Sequence, residues 1–206
     1  YINLRTFIST ADAPLRNAYA QFRAQGIQNF IVDFRYNGGG LVGVADLVGD
    51  LHALGRDPAD IFESMRFNAS KSANDSVHRF IQQAQSVDPV RIAFITTEAT
   101  ASASELVVNG MKPWVEVAIV GSDTFGKPVG QSAFDLTGCD LRMRLVTFRI
   151  TNADGEGDYY DGLAPTLPFA CAASDDLTRE PWDSAESSTA AALSWLGTGA
   201  CGQVMS

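Results

Sequence analysis

Apolar positions along this chain follow two rhythms that take turns. Residues 1–8 alternate as a strand does. Residues 12–25 place Leu15, Tyr19 and Phe22 at helical spacing, with Pro14 in the first turn and Gly26 as a C-terminal cap. Residues 30–34 form a short continuous apolar run, the signature of a strand buried on both faces. The Gly38-Gly39-Gly40 turn follows it, and 41–54 returns to the helical spacing. The stretch 55–90 is less regular, with a strand over 62–67, a polar Asn/Ser/Lys segment and a helical pattern over 77–84. The alternation then resumes with a strand at 91–96, a helix at 102–111 and a strand at 115–121. Residues 131–136 and 141–150 read as two strands of a hairpin around a Gly-containing turn. A loop rich in Asp, Gly and Tyr comes next. A last helix over 184–196 closes the pattern, with Asp183 and Glu186 at capping-box spacing and Leu193, Trp195 and Leu196 as apolar surface. Strands alternating with helices predict an α/β fold, and a strand at the very start predicts that further chain precedes Tyr1.

Composition adds limits rather than an identity. With 206 residues, 46% hydrophobic and 19% charged, the chain can bury a sizeable core without a staple, and a single domain over 1–206 is expected. The net charge of −9 disfavours nucleic acid and anionic membrane surfaces, because polyanions attract basic patches. No apolar run approaches the roughly 18 residues of a spanning helix. The three cysteines, Cys139, Cys171 and Cys201, lack C-x-x-C spacing, and two histidines leave few ligands for zinc, so no metal is expected. One disulfide plus one thiol, as in an oxidising compartment, and three buried thiols both fit this cysteine count.

Three segments carry candidate chemistry. Thr100-Ala101-Ser102-Ala103-Ser104-Glu105 follows a buried strand and opens a helix, so it presents a hydroxyl beside orphan backbone N–H groups. Its ordinary reading is a serine helix cap. Thr124-Phe125-Gly126-Lys127-Pro128-Val129-Gly130-Gln131 sets a single lysine among small and apolar neighbours. A lysine titrates near 10.4 in water, and burial without a counter-charge brings it to about 7 to 8, where a neutral amine accepts a proton. The ordinary reading there is a solvated loop lysine. Asp33-Phe34-Arg35-Tyr36-Asn37-Gly38-Gly39-Gly40 bends sharply after a buried strand and can offer a backbone N–H. It matches neither a dinucleotide fingerprint nor a phosphate loop.

In this order and spacing, with 25 residues from 102 to 127, the three segments resemble the C-terminal processing and tail-specific proteases, serine peptidases of the S41 type. The resemblance spans about residues 1–165 and implies a crotonase/ClpP-like layered core with a β-hairpin and a C-terminal helix. It implies Ser102 as nucleophile, Lys127 as base, Gln131 supporting the lysine, and an oxyanion hole from the N–H groups of Gly40 and Ala103. It implies no cofactor, a protein or peptide substrate, and a periplasmic or extracellular setting. Pro128 and Gly130 depart from the commoner glycine after the lysine. The PDZ domain usual in such proteases has no counterpart in 1–206, and residues from about 170 onward form a C-terminal extension.

Two rival readings follow from related folds: a non-catalytic retinoid-binding-like module, and a crotonase-type thioester enzyme, for which no basic coenzyme site is evident. Asp154, Glu156 and Asp158 read as a solvated acidic turn, because the distal positions of a calcium loop do not follow. His52 and His78 stand in no triad pattern, and Glu105 reads as a helix-dipole partner.

Overall fold

A computed structural model describes residues 1–205. The chain runs β1 (Ile2–Asn3), α1 (Asp12–Ala24), β2 (Asn29–Asp33), α2 (Val42–Leu51), β3 (Ile61–Phe67), β4 (Ser76–Arg79), β5 (Arg91–Thr96), α3 (Ala103–Met111), β6 (Glu116–Gly121), β7 (Val129–Asp135), β8 (Arg142–Thr151), β9 (Ala170–Ala172) and α4 (Ser187–Thr198). Strands β1-β2-β5-β6-β9 form a parallel sheet in that order, and β4-β3-β8-β7 form an antiparallel one.

The parallel strands read as unbroken apolar runs because both faces of their sheet are covered. Phe30, Val32, Ile92, Phe94, Val117 and Ile119 point into the large core shared with α1, α2 and α3. The alternate positions Ile31, Ala93, Ile95, Ala118 and Val120 point the other way, onto Ala192 and Trp195 of α4. The expected α/β architecture, with its hairpin (β7–β8) and C-terminal helix, is the one observed.

Three local expectations are corrected, and one strand had none. Residues 1–8 hold only the two-residue β1 and an isolated parallel bridge from Phe7 to Gly40, because the chain leaves β2 to meet the glycine turn. The segment 77–84 is not helical: Ser76 and Val77 pair with Met65 and Ser64, so sheet pairing overrides a helical spacing that was partly coincidental. The last helix begins at Ser187, where the Glu186 carboxylate itself accepts from the N–H groups of Ser188 (3.1 Å) and Thr189 (2.9 Å), in place of a box built on Asp183. Strand β9 is too short for a sequence period; it exists by pairing with β6 and by the Cys171–Cys201 disulfide, while Cys139 is a free, exposed thiol.

The C-terminal extension is tied back by Arg35. Its guanidinium, buried, donates to Asp33 (2.8 Å) and Asp175 (3.0 Å) and pairs with Glu186 (3.1 Å). Residues past 170 are thereby linked to the start of the glycine turn.

A second buried charge cluster lies between α2 and the antiparallel sheet. His78 bonds Asp50 (3.0 Å), which raises the imidazole above its usual value. Burial pushes Asp46 up to about 6 and Glu63 up to about 7, the latter further raised by Asp46. Asp46 Oδ1 and Glu63 Oε2 have no hydrogen-bond partner. All three groups hold protons more tightly folded than unfolded, so the stability they contribute is full below the unfolded values and is lost as pH rises through the folded ones. The melting temperature is therefore expected to fall between about pH 4.5 and 8, with Glu63 alone accounting for up to about 3 kcal/mol. In Glu63→Gln the alkaline decline should flatten by several degrees. A thermal-melt series against pH checks this, and an unchanged slope in the variant would refute the assignment.

Candidate active site

Two tight turns from different crossovers of the parallel sheet meet at its C-terminal edge, the place where open α/β sheets generally bind ligands. The first leaves β2. Asn37, fully buried, organises it: its Oδ1 accepts from Gly39 N (2.9 Å) and its Nδ2 donates to the Leu4 carbonyl (2.6 Å). The Asn37 carbonyl accepts from Ala101 N (3.1 Å) and Ser104 Oγ (2.9 Å), which binds this turn to the second. Gly39 has φ +97°, and a Cβ there would lie 2.8 Å from Ala101 O and Ala103 N, so only glycine allows the turns to touch. Phe7 donates to Gly39 O (3.0 Å) and accepts from Leu41 N (2.7 Å). In that parallel bridge the intervening Gly40 turns its own N–H away from Phe7, and it donates to no acceptor among the described residues.

The second turn carries Ser102. Its φ of 57° and ψ of −116° place a non-glycine residue in a sparsely populated region, at a cost of about 1–3 kcal/mol that the surroundings must offset. Ser102 is the N-cap of α3, so Ala103 is the first helical residue and its N–H has no intrahelical partner.

Glu105 joins this turn to the lysine loop. Its buried carboxylate accepts from the backbone N–H of Ser102 (2.8 Å), Gly126 (2.7 Å) and Lys127 (2.9 Å). Burial raises the carboxyl above its usual range, and the bonds from Thr124, Lys127, Gly126 and Ser102 oppose that shift. The helix-dipole reading of Glu105 is thus too weak. The residue positions the site, and the Ser102-x-x-Glu105 spacing, that of a capping box, is the signal that could have revealed it. Ser104, and the Asn37 contacts to Leu4, Ala101 and Ser104, had no comparable signal, because they join segments that are remote in sequence.

The loop then enters β7. A β-bulge at Gly130/Gln131 shifts the β7–β8 register, and a Cβ on Gly130 would strike the Phe148 ring. The departure from the commoner lysine-loop pattern at Gly130 therefore coincides with a ring packed over the backbone.

These elements enclose a cavity of about 480 Å³. Ser102, Ala103, Lys127, Gln131 and Gly40 all line it, together with Arg144 and an apolar wall of Phe7, Ile8, Leu41, Val42, Phe148 and Ile150. The five residues singled out from sequence are brought together. No hydrogen bond directly joins Ser102 Oγ to Lys127 Nζ, and Lys127 forms no ion pair among the described residues. Pro128 enters through its carbonyl, which accepts from Ile150 N (2.9 Å) and holds the loop to β8.

The two histidines lie elsewhere. His52 is buried against Tyr19 (3.0 Å) and Val48 O (2.9 Å), and burial brings it down to about 4, so it is a neutral core residue. His78 belongs to the Asp50 cluster. In the acidic turn, Glu156 pairs with Lys112 (2.7 Å). Among the described residues no group of three or more His, Cys, Asp or Glu side chains is arranged to hold a metal ion, and no helix is long and apolar enough to cross a membrane.

Comparison with known proteins gives a consistent picture. The chain is 24% identical over 169 residues to a CtpA-like serine protease of Staphylococcus epidermidis (strain ATCC 12228), covering 82% of this chain and 33% of that protein. It is 28% identical over 185 residues to the chloroplastic carboxyl-terminal-processing peptidase 3 of Arabidopsis thaliana, covering 87% and 33%. The chain thus spans about a third of the length of these curated relatives. An S41-assigned structure from Bacteroides fragilis NCTC 9343 superposes with a TM-score of 0.85 at 22% identity, over 95% of this chain and 53% of that one. The photosystem II D1 C-terminal processing protease superposes at 0.65 and 22% identity, over 82% and 41%. The model of Peptidase family S41 matches residues 1–169, so the chain belongs to peptidase family S41.

Proposed function

We propose that this chain is the proteolytic core of a serine endopeptidase that works through a Ser102/Lys127 pair. The observation that carries this reading is the single cavity shared by the strained Ser102, the unpaired Lys127, and two backbone N–H donors on Gly40 and Ala103. Ser102 Oγ attacks the scissile carbonyl carbon as its proton passes to Lys127 Nζ. The carbonyl π electrons move onto oxygen, where the two N–H groups stabilise the negative charge. Collapse of that intermediate breaks the C–N bond, Lys127 returns the proton to the leaving amine, and an ester to Ser102 remains. Water activated by the same amine then hydrolyses the ester. Gln131 supports the lysine amine from the start of β7. The chain needs no metal or cofactor for these steps.

Substrates are proteins or peptides. Edge strand β7, paired only with β8, offers main-chain hydrogen bonds to an extended segment. The Cys171–Cys201 disulfide supports a periplasmic or extracellular setting, where such bonds persist. The family match to a peptidase and the polar, cationic side of the cavity both speak against the retinoid-binding-like alternative.

Ser102→Ala and Lys127→Ala should each lower hydrolysis of an unfolded protein by at least about 10³-fold while leaving the melting temperature nearly unchanged. A fluorophosphonate probe should add its mass at Ser102 and nowhere else. Activity retained in either variant would rule the pair out. Glu105→Ala deletes an acceptor shared by three N–H groups. It is expected to cost about 2–4 kcal/mol of stability and a similar factor in kcat to loss of an oxyanion donor, roughly 10²-fold, with probe labelling slowed in proportion. A variant with full kcat would show that the lysine loop holds its place without Glu105.

A further inference from the structure

The catalytic cavity carries a cation for which the proposed chemistry has no use. Strand β8 bears three arginines at 142, 144 and 149. Arg142 is held by Asp135 (2.6 Å) and Arg149 by Asp158 (3.9 Å), while on the neighbouring strand Arg66 meets Asp75 (3.4 Å). Arg144 forms no ion pair and no side-chain hydrogen bond among the described residues, although the chain has 24 acidic side chains against 15 basic ones. Arg144 stands directly across from Ala133, two residues beyond Gln131, so the pleat places it on the Gln131 face. It lines the same cavity as Ser102 and Lys127, and no Asp or Glu lines that cavity. An acidic molecule therefore keeps a cleft lined by two unmatched cations and no acidic side chain; the Glu105 carboxylate lies outside that lining, its oxygens taken up by backbone N–H groups. Across the cavity, Ile8 and Leu41 are half exposed and apolar.

We propose that Arg144 is a specificity-determining residue that binds a carboxylate of the substrate, next to an apolar side chain seated against Ile8 and Leu41. A guanidinium presents paired N–H donors that fit a carboxylate, and the absence of a competing anion leaves those donors for the ligand. Two sources offer this chemistry, an Asp or Glu side chain and the terminal carboxylate of a peptide. This inference rests on the peptidase reading of the cavity but acts through binding, so the two can fail separately.

The test uses fluorescein-labelled hexapeptides bound to the full chain carrying Ser102→Ala and followed by anisotropy. The probes are Ala-Ala-Leu-Glu-Ala-Ala amide, its Gln counterpart as the amide, and the same Gln peptide with a free C-terminal carboxylate. At least one carboxylate-bearing peptide should bind roughly 5- to 10-fold more tightly than the neutral amide, the range for a partly exposed charge-assisted contact. Which one does so identifies the source. The preference should shrink in 1 M salt and vanish on adding Arg144→Gln. Arg144→Glu should reverse it in favour of a Lys-bearing peptide, a change of sign that a merely structural arginine would not produce. Equal binding of acid and amide, no binding at all, or a preference that survives Arg144→Gln overturns the inference. Cleavage of the same peptides by the unsubstituted chain is read separately: acid-selective binding without hydrolysis would leave Arg144 in place and overturn the peptidase reading.

Discussion

A carboxylate taken out of water is costly unless its oxygens find donors, and Glu105 finds them in three backbone N–H groups from two separate segments. Each partner has a reason to accept the arrangement. Ser102 N is freed from regular structure by the positive φ at the turn, and Gly126 and Lys127 lie in a loop with no strand partner for their amides. One buried charge therefore satisfies what would otherwise be orphan donors and fixes the distance between the turn that carries the serine and the loop that carries the lysine. The same economy appears at Asn37, whose carbonyl and side chain lace the glycine turn to the serine turn. The strain at Ser102 is sustained by these contacts, which over-determine its backbone.

Much of the parallel sheet was legible because burial on both faces writes an uninterrupted apolar run. The strand expected over 91–96 coincides with β5, and 30–34 lies within one residue of β2. The segment 77–84 misled because four residues of edge strand offer too short a period to exclude a helix, and its inward positions are set by contacts remote in sequence: His78 pairs with Glu63 of β3, and Phe80 N donates to Asp60 O just before it. Strand β9 was invisible for the same reason in stronger form, being only three residues long. At the site, residue types in a motif order led to Ser102, Lys127, Gln131, Gly40 and Ala103, which share one cavity. The residues that hold them together were harder to see. Asn37 bonds Leu4, Ala101 and Ser104, and such partners emerge only when the turns are folded against each other.

The segment beyond the family match is an integral part of this fold. Residues 170–205 add the fifth parallel strand and lay α4 over the sheet face opposite α1–α3, where Trp195 is fully buried. Three acids around Arg35 make the attachment electrostatic as well as apolar. A buried ion cluster is an uncertain source of stability, since desolvation offsets most of its attraction, but removing one partner leaves charge uncompensated. Its stronger effect is on geometry. Asp33 and Arg35 flank Phe34 at the root of the turn that ends in Gly40, so the C-terminal segment braces from behind the backbone of the glycine turn.

The charge pattern of the cavity sharpens this picture. A chain with net charge −9 repels acidic ligands at long range, yet salt screens that field within about 8–10 Å, and at contact distance the cavity is lined by Lys127 and Arg144 and by no acidic side chain. The proposed mechanism uses the Lys127 amine as its base, and that amine forms no ion pair among the described residues. The same lack of acidic side chains in the lining leaves Arg144 without an ion-pair partner among the described residues. The proposed base and the proposed substrate-selecting cation thus rest on one arrangement: a cleft lined by apolar side chains, backbone donors, two cations and no carboxylate side chain.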